Sequence, residues 1–245
     1  MRDKPVLLLV PGLMCDVTSW GAVPSGLPDF DCRVVDHGQA DSLVQMAEQL
    51  LAQAPARFAL AGHSMGGRVA LEVMRLAPER VTHLGLFDTG HLPKPAGAAG
   101  DEEVRKRMAL LTMARTQGVR AMASEWVKGM VAPHRLGDAP LIDSILDMFE
   151  RKSADIFERQ LRALIQRPDA MAVLQAVRVP ALVLCGELDA WSPPAQHQTM
   201  ADCIPARPAI VAVPGGGHMV MQEQPEPVLQ AMRHWLSQPT QGASC

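Results

Sequence analysis

The 245-residue chain is 48% apolar and 20% charged, with a formal net charge of −3, the balance of an ordinary globular protein rather than of a disordered one. That charge and a pI of about 6.2 speak against a nucleic-acid partner, which would need a clustered basic face. No run reaches the roughly 18 apolar residues of a spanning helix, so no membrane role is expected, and the length suits a single domain with one sizeable core.

In chain order, MRDKPVLLLVPG carries the apolar run Val6–Val10. It is too short for the central region of a signal peptide and lacks a small-residue cleavage site, so it reads as a first strand of a cytoplasmic protein. Further short apolar runs lie at 33–35, 58–61 and 84–87, with helical spacing over 42–54 and 64–76 between them. The same alternation returns at 181–185 and 209–213, with helices expected at 194–202 and 225–237. Short apolar runs alternating with helical segments predict a mostly parallel sheet flanked by crossover helices, an α/β fold. The five cysteines, Cys15, Cys32, Cys185, Cys203 and Cys245, show no C-x-x-C spacing, which predicts buried free thiols rather than disulfides or a zinc site.

The alternation breaks between about residues 91 and 167, where helical periodicity continues without a strand. This stretch is expected to be a helical insertion in a core made of 1–90 and 168–245, entered through the loop HLPKPAGAAGD. The insertion holds 13 Lys/Arg against 10 Asp/Glu, and the segment Lys94 to Arg135 alone holds eight against four. Such a run reads most simply as solvated helix faces, but the excess also permits an anionic substrate or an acidic carrier protein.

The densest chemical signal is ALAGHSMGGRVALEVM, residues 59–74. If 58–61 is a strand and the residues after Ser64 are a helix, a very sharp turn joins them with Ser64 at its apex. Side chains at positions 62 and 66 would collide in such a turn, so Gly62 and Gly66 provide room, while Gly67 lets the helix approach the sheet. The strained turn exposes the Ser64 hydroxyl at the carboxyl edge of the sheet, with helix N–H groups facing a developing negative charge. A serine hydroxyl is a weak nucleophile at neutral pH and needs a base, and the base needs an orienting acid.

This Gly-His-Ser-Met-Gly turn between strand and helix is the nucleophile elbow, and nearly the whole chain resembles the α/β-hydrolase fold superfamily, in particular its small bacterial serine esterases and lactonases with a helical lid. The resemblance implies a serine, acid, histidine order along the chain. His218, on the glycine-rich loop of VPGGGHMVMQEQP, matches the family's base; Asp189, in LVLCGELDAWSPP, matches the acid, with Glu187 and Asp88 as rivals. It further implies an oxyanion hole from the N–H groups of Met65 and Leu13. Pro11 stands where relatives often carry a loop-bracing histidine. The 91–167 insertion corresponds to the family's lid.

The activity implied is hydrolysis of a carboxylic ester, thioester or lactone of a small molecule through an acyl-enzyme, without a cofactor or metal. Met14, Met65, Met219 and Met221 flank the implied site and suggest an adaptable apolar acyl pocket, with His63 close by, Trp126 on the lid facing the serine, and Trp20 at the entrance. Trp191 and Trp235 are expected to pack beside the acid loop and under the last helix. Three other activities share these residues: a cofactor-free perhydrolase or haloperoxidase reaction, a ligand-sensing role without turnover, and a lyase. A serine at the elbow speaks against the branches that attack with a carboxylate.

Overall fold

The computed structural model describes residues 4–240; Cys245 lies outside them. Six strands form one sheet: β1 (Val6–Val10), β2 (Asp31–Val34), β3 (Phe58–His63), β4 (Val81–Phe87), β5 (Ala181–Gly186) and β6 (Ile210–Val213). Their spatial order is β2-β1-β3-β4-β5-β6, and every neighbouring pair is parallel. Parallel strands need helical crossovers that cover both faces, and the side chains divide accordingly. Leu8, Val10, Leu60, Leu84, Leu86 and Val183 face one core, whereas Leu7, Leu9, Ala59, Ala61, Leu182 and Leu184 face the other.

The helices are α1 (Val23–Gly26), α2 (Leu43–Gln53), α3 (Met65–Leu76), α4 (Ala98–Gln117), α5 (Val119–Trp126), α6 (Ala139–Glu150), α7 (Ala154–Ile165), α8 (Met171–Ala176), α9 (Pro194–Cys203), α10 (Val220–Glu223) and α11 (Pro225–Leu236). Local chemistry explains several boundaries. Ser42, Asp138 and Ser153 cap α2, α6 and α7 by accepting the N–H of Gln45, Leu141 and Ile156, each satisfying a donor the helix itself cannot. Helices α2 and α3 contribute to the first core, and α1 and α11 to the second, where Trp235 and Met232 are buried.

Between β4 and β5 the chain forms α4 to α8 and no strand. The insertion shares the first core: Leu111, Met122, Ile145, Phe149, Phe157 and Leu161 are buried within it. Its outer surface ties back to the loops after β1 and β2, through Arg151 to Asp16 at 2.8 Å, Lys152 to Asp36 at 3.3 Å and Arg162 to Asp41 at 3.0 Å. No helix of the described residues is long and apolar enough to cross a membrane.

Candidate active site

The end of β3 leads directly into Ser64, the residue before α3, whose φ of 54° and ψ of −117° are strained for a side chain other than glycine. Three contacts hold that conformation. Ser64 N–H donates to the Phe87 carbonyl at 2.9 Å, and the Ser64 carbonyl accepts from Gly67 N–H at 3.0 Å and from the Thr89 hydroxyl at 2.6 Å. A Cβ on Gly62 would strike the Gly66 carbonyl, and one on Gly66 would strike the Val10 carbonyl, so the turn closes only with glycine at both positions.

His218 follows β6 on its glycine-rich loop, and its Nε2 lies 2.9 Å from Ser64 Oγ while its Nδ1 lies 2.8 Å from Asp189 Oδ2. A carboxylate can only accept, so Nδ1 carries the proton and Nε2 presents its lone pair to the serine hydroxyl. Asp189 is fixed in turn: its Oδ1 accepts the N–H of Trp191 at 2.8 Å and of Ser192 at 3.0 Å. Burial opposes its charge, but His218 and those two N–H groups prevail and hold the carboxyl down to about 2.

The loop after β1 brings Leu13 beside the elbow. Leu13 and Met65 both line the cavity, and Met65 heads a helix whose first N–H groups have no intrahelical acceptor. The next two N–H groups of the loop are occupied, Met14 by Gln160 Oε1 at 2.7 Å and Cys15 by the Gly12 carbonyl at 3.1 Å. Bracing that a histidine at position 11 would supply comes from elsewhere: buried His37, after β2, donates its Nε2–H to the Pro11 carbonyl at 3.0 Å.

His63 is buried under the site, with its Nε2 2.8 Å from the His218 carbonyl. A carbonyl accepts only, so Nε2 is the protonated nitrogen of a neutral ring; burial and neighbouring His218 push its pKa down to about 3. Glu223, also buried, accepts N–H groups from Gly217 and Met219 on the histidine loop and from Ala132 on the insertion, at 3.0, 3.2 and 2.8 Å.

Ser64 opens into a cavity of about 500 Å³ whose walls include Leu13, His63, Met65, Trp126 and Trp191. Trp126 stacks on Trp191 with centroids 5.6 Å apart, and Trp191 in turn lies 4.8 Å from the His218 ring. Trp191, on the acid loop as expected, thus also packs against the base. Four sequence-based assignments are corrected. Met14 and Met219 do not line this cavity; both are fully buried in the first core, where the turn at Met14 (φ 62°) and the histidine loop direct them. Met221 and Trp20 belong to the second core, on the opposite face of the sheet from the elbow helix, with Trp20 packed edge-on against Phe87.

Asp88, just after β4, is close enough that its carboxyl, the carboxyl of Asp189 and a ring nitrogen of His218 could together face one metal ion. The donor set argues otherwise, because Asp189 already uses both oxygens and His218 both nitrogens. Asp88 accepts Gly186 N–H at 2.8 Å, and burial followed by the neighbouring Asp189 charge raise its pKa well above the usual carboxylate range. Burial and the Asp189 charge therefore both oppose a second negative charge at this position.

With this geometry in place, the comparisons with known proteins converge. A family model described as the alpha/beta hydrolase family matches residues 7–231. A Haemophilus influenzae protein named as an esterase/lipase is 26% identical over 96% of this chain and 84% of its own length. A thermophilic esterase from Thermogutta terrifontis superposes with a TM-score of 0.82 at 29% identity, covering 95% of this chain and 89% of that one. The enol-lactonase of Burkholderia xenovorans shares the fold, with a TM-score of 0.83 at 20% identity over 97% of this chain and 94% of its own.

Proposed function

We propose that this chain, which belongs to the alpha/beta hydrolase family, is a serine hydrolase that cleaves a carboxylic ester of a small molecule through an acyl-enzyme on Ser64. The reading rests on one observation: the unbroken relay from Ser64 Oγ through His218 to Asp189, with contacts of 2.9 and 2.8 Å. Ser64 Oγ attacks the ester carbonyl carbon as His218 Nε2 takes its proton. The carbonyl oxygen gains the negative charge and turns toward the N–H groups of Leu13 and Met65, where each donor contributes on the order of 100-fold to the rate. When the intermediate collapses, His218 returns the proton to the departing alkoxide. Water then attacks the acyl-serine by the same path and releases a carboxylic acid.

We read the insertion, 91–167, as the lid over this site, since its Trp126 lines the cavity into which Ser64 opens. Most of its exposed cations already have carboxylate partners: Arg105 pairs with Glu102, Arg115 with Glu158, Arg120 with Asp147 and Lys128 with Glu125. That pairing favours a small substrate over a docked acidic carrier protein.

A fluorophosphonate probe followed by intact mass tests the reading. A single adduct is expected on wild type, absent from Ser64→Ala and strongly slowed in His218→Ala. A folded wild type that takes up no probe would overturn it.

A further inference from the structure

One wall of the cavity has no part in the relay chemistry. Arg68 lines it from α3, four residues past Ser64, so its Cα lies about 6 Å further along the helix axis. Arg107 and Glu103 line it from α4, and Arg167 from just beyond α7. Glu103 is shared: it takes Arg107 Nε at 2.9 Å and both terminal nitrogens of Arg167 at 2.6 and 2.8 Å. Three guanidinium groups therefore face one carboxylate.

Arg68 is the unmatched member. Its Nη1 donates to the Leu92 carbonyl at 2.9 Å, and no carboxylate of the described residues pairs with it. Burial, then the charge of Arg167, lower its pKa to about 9. Beside it Arg167, only 9% exposed, keeps a buried Nε without an acceptor. An uncompensated charge in a half-buried wall is costly to the fold, and guanidinium groups are well suited to bind carboxylate or phosphate.

We propose that Arg68 and Arg167 form an anion subsite, and that the substrate is an ester bearing a second, negatively charged group, a carboxylate or phosphate, a few bonds from the scissile carbonyl. This rests on the ester-hydrolase reading above and narrows it. The subsite acts by binding, so it should appear mainly in KM, with the anionic end of the ester seated against Arg68 while the carbonyl reaches Ser64.

The test compares three methyl esters of equal chain length: a dicarboxylic half-ester, its neutral diester and a phosphate-terminated analogue. Wild type should favour one or both anionic esters over the diester by about tenfold or more in kcat/KM, and the two anionic arms tell carboxylate from phosphate. Arg68→Gln should bring the ratio close to one, and Arg68→Lys, which retains the charge, should keep part of it. Binding of glutarate and of inorganic phosphate to Ser64→Ala, measured by calorimetry, gives a readout independent of turnover. Hydrolysis of the neutral diester without preference for either anion overturns the subsite and leaves the esterase reading intact. If no ester is cleaved and no fluorophosphonate adduct forms, the esterase reading fails, and the calorimetry alone decides the subsite: binding lost in Arg68→Gln supports it, and no binding overturns it.

Discussion

The side chain of Gln160, on α7 of the insertion, accepts the backbone N–H of Met14 at 2.7 Å, and both residues are buried. Met14 follows Leu13, the proposed oxyanion donor, and holds a left-handed φ of 62°. An α-helix outside the sheet thus fixes the peptide next to the one that would receive the negative charge. The exposed ion pairs along the same helix contribute at most about 1 kcal/mol each. The buried contact matters more, because its loss would strand a donor without water.

Gln160→Leu should therefore lower stability by about 1–3 kcal/mol, the cost of an unsatisfied buried N–H. It should also lower kcat by roughly tenfold with little change in KM, since it loosens the oxyanion loop and not the substrate wall. Steady-state kinetics with a melting curve checks both; an equal loss in KM would place Gln160 in substrate binding instead.

Asp88 and Asp189 offer a contrast between two carboxyls at one site. Asp189→Asn replaces an acceptor with an amide that can leave His218 in the wrong tautomer, so kcat should fall by several orders of magnitude. Burial and the Asp189 charge both disfavour a charge on Asp88, whose Oδ1 accepts Gly186 N–H. Asp88→Asn keeps that acceptor and should hold kcat within a few-fold of wild type. A collapse in Asp88→Asn comparable to that in Asp189→Asn would make Asp88 the acid.

The same residue predicts a pH dependence of stability. Burial, and then Asp189, raise the Asp88 pKa above its unfolded value of about 3.9. Its contribution is fully present below that unfolded pKa and is lost as pH rises towards the folded one, because the unfolded chain gives up a proton that the fold retains. Wild type should lose urea resistance progressively above about pH 4 relative to Asp88→Asn, whose profile lacks that slope. Parallel slopes in the two proteins would mean that Asp88 is ionised in the fold.

The elbow is legible in the sequence because its causes are local: a strained serine needs glycine two residues before and after it, and the flanking apolar run and helical pattern supply its context. Asp189 and His218 have no such local cause; only resemblance to the family's acid and histidine loops marks them, with Glu187 and Asp88 as rivals for the acid. What escapes a linear reading is contact between ordinary residues far apart. Met14 and Gln160 are separated by 146 positions, and Ala132 and Glu223 by 91, with no motif to mark either pair. The basic excess over Lys94 to Arg135 marks a segment rather than a site: Arg105 is exposed and paired with Glu102, Lys106 and Arg107 reach the cavity, and they meet there Arg68 from the elbow helix and Arg167 from the far end of the insertion. Methionines beside site residues suggested a pocket, but sequence adjacency says nothing about the direction in which a strained loop sends its side chains.

Glu223 carries the last prediction. Its Oε1 accepts Gly217 N–H and Met219 N–H, which bracket His218, and its Oε2 accepts Ala132 N–H from the insertion. One carboxylate therefore sets the position of the base relative to the proposed lid. Glu223→Gln keeps nearly the same shape but has a single acceptor oxygen. Whichever way the amide turns, its NH2 group faces a backbone N–H, and at least one buried donor loses its partner. The cost should be about 1–3 kcal/mol, or a fall in Tm of roughly 2–10 °C for a chain of this size. If Glu223 acts by positioning His218, kcat should fall together with Tm while KM for a neutral ester holds. Fluorophosphonate labelling of Ser64 should slow in proportion. A destabilised variant with unchanged labelling rate at low temperature would assign Glu223 to the fold alone.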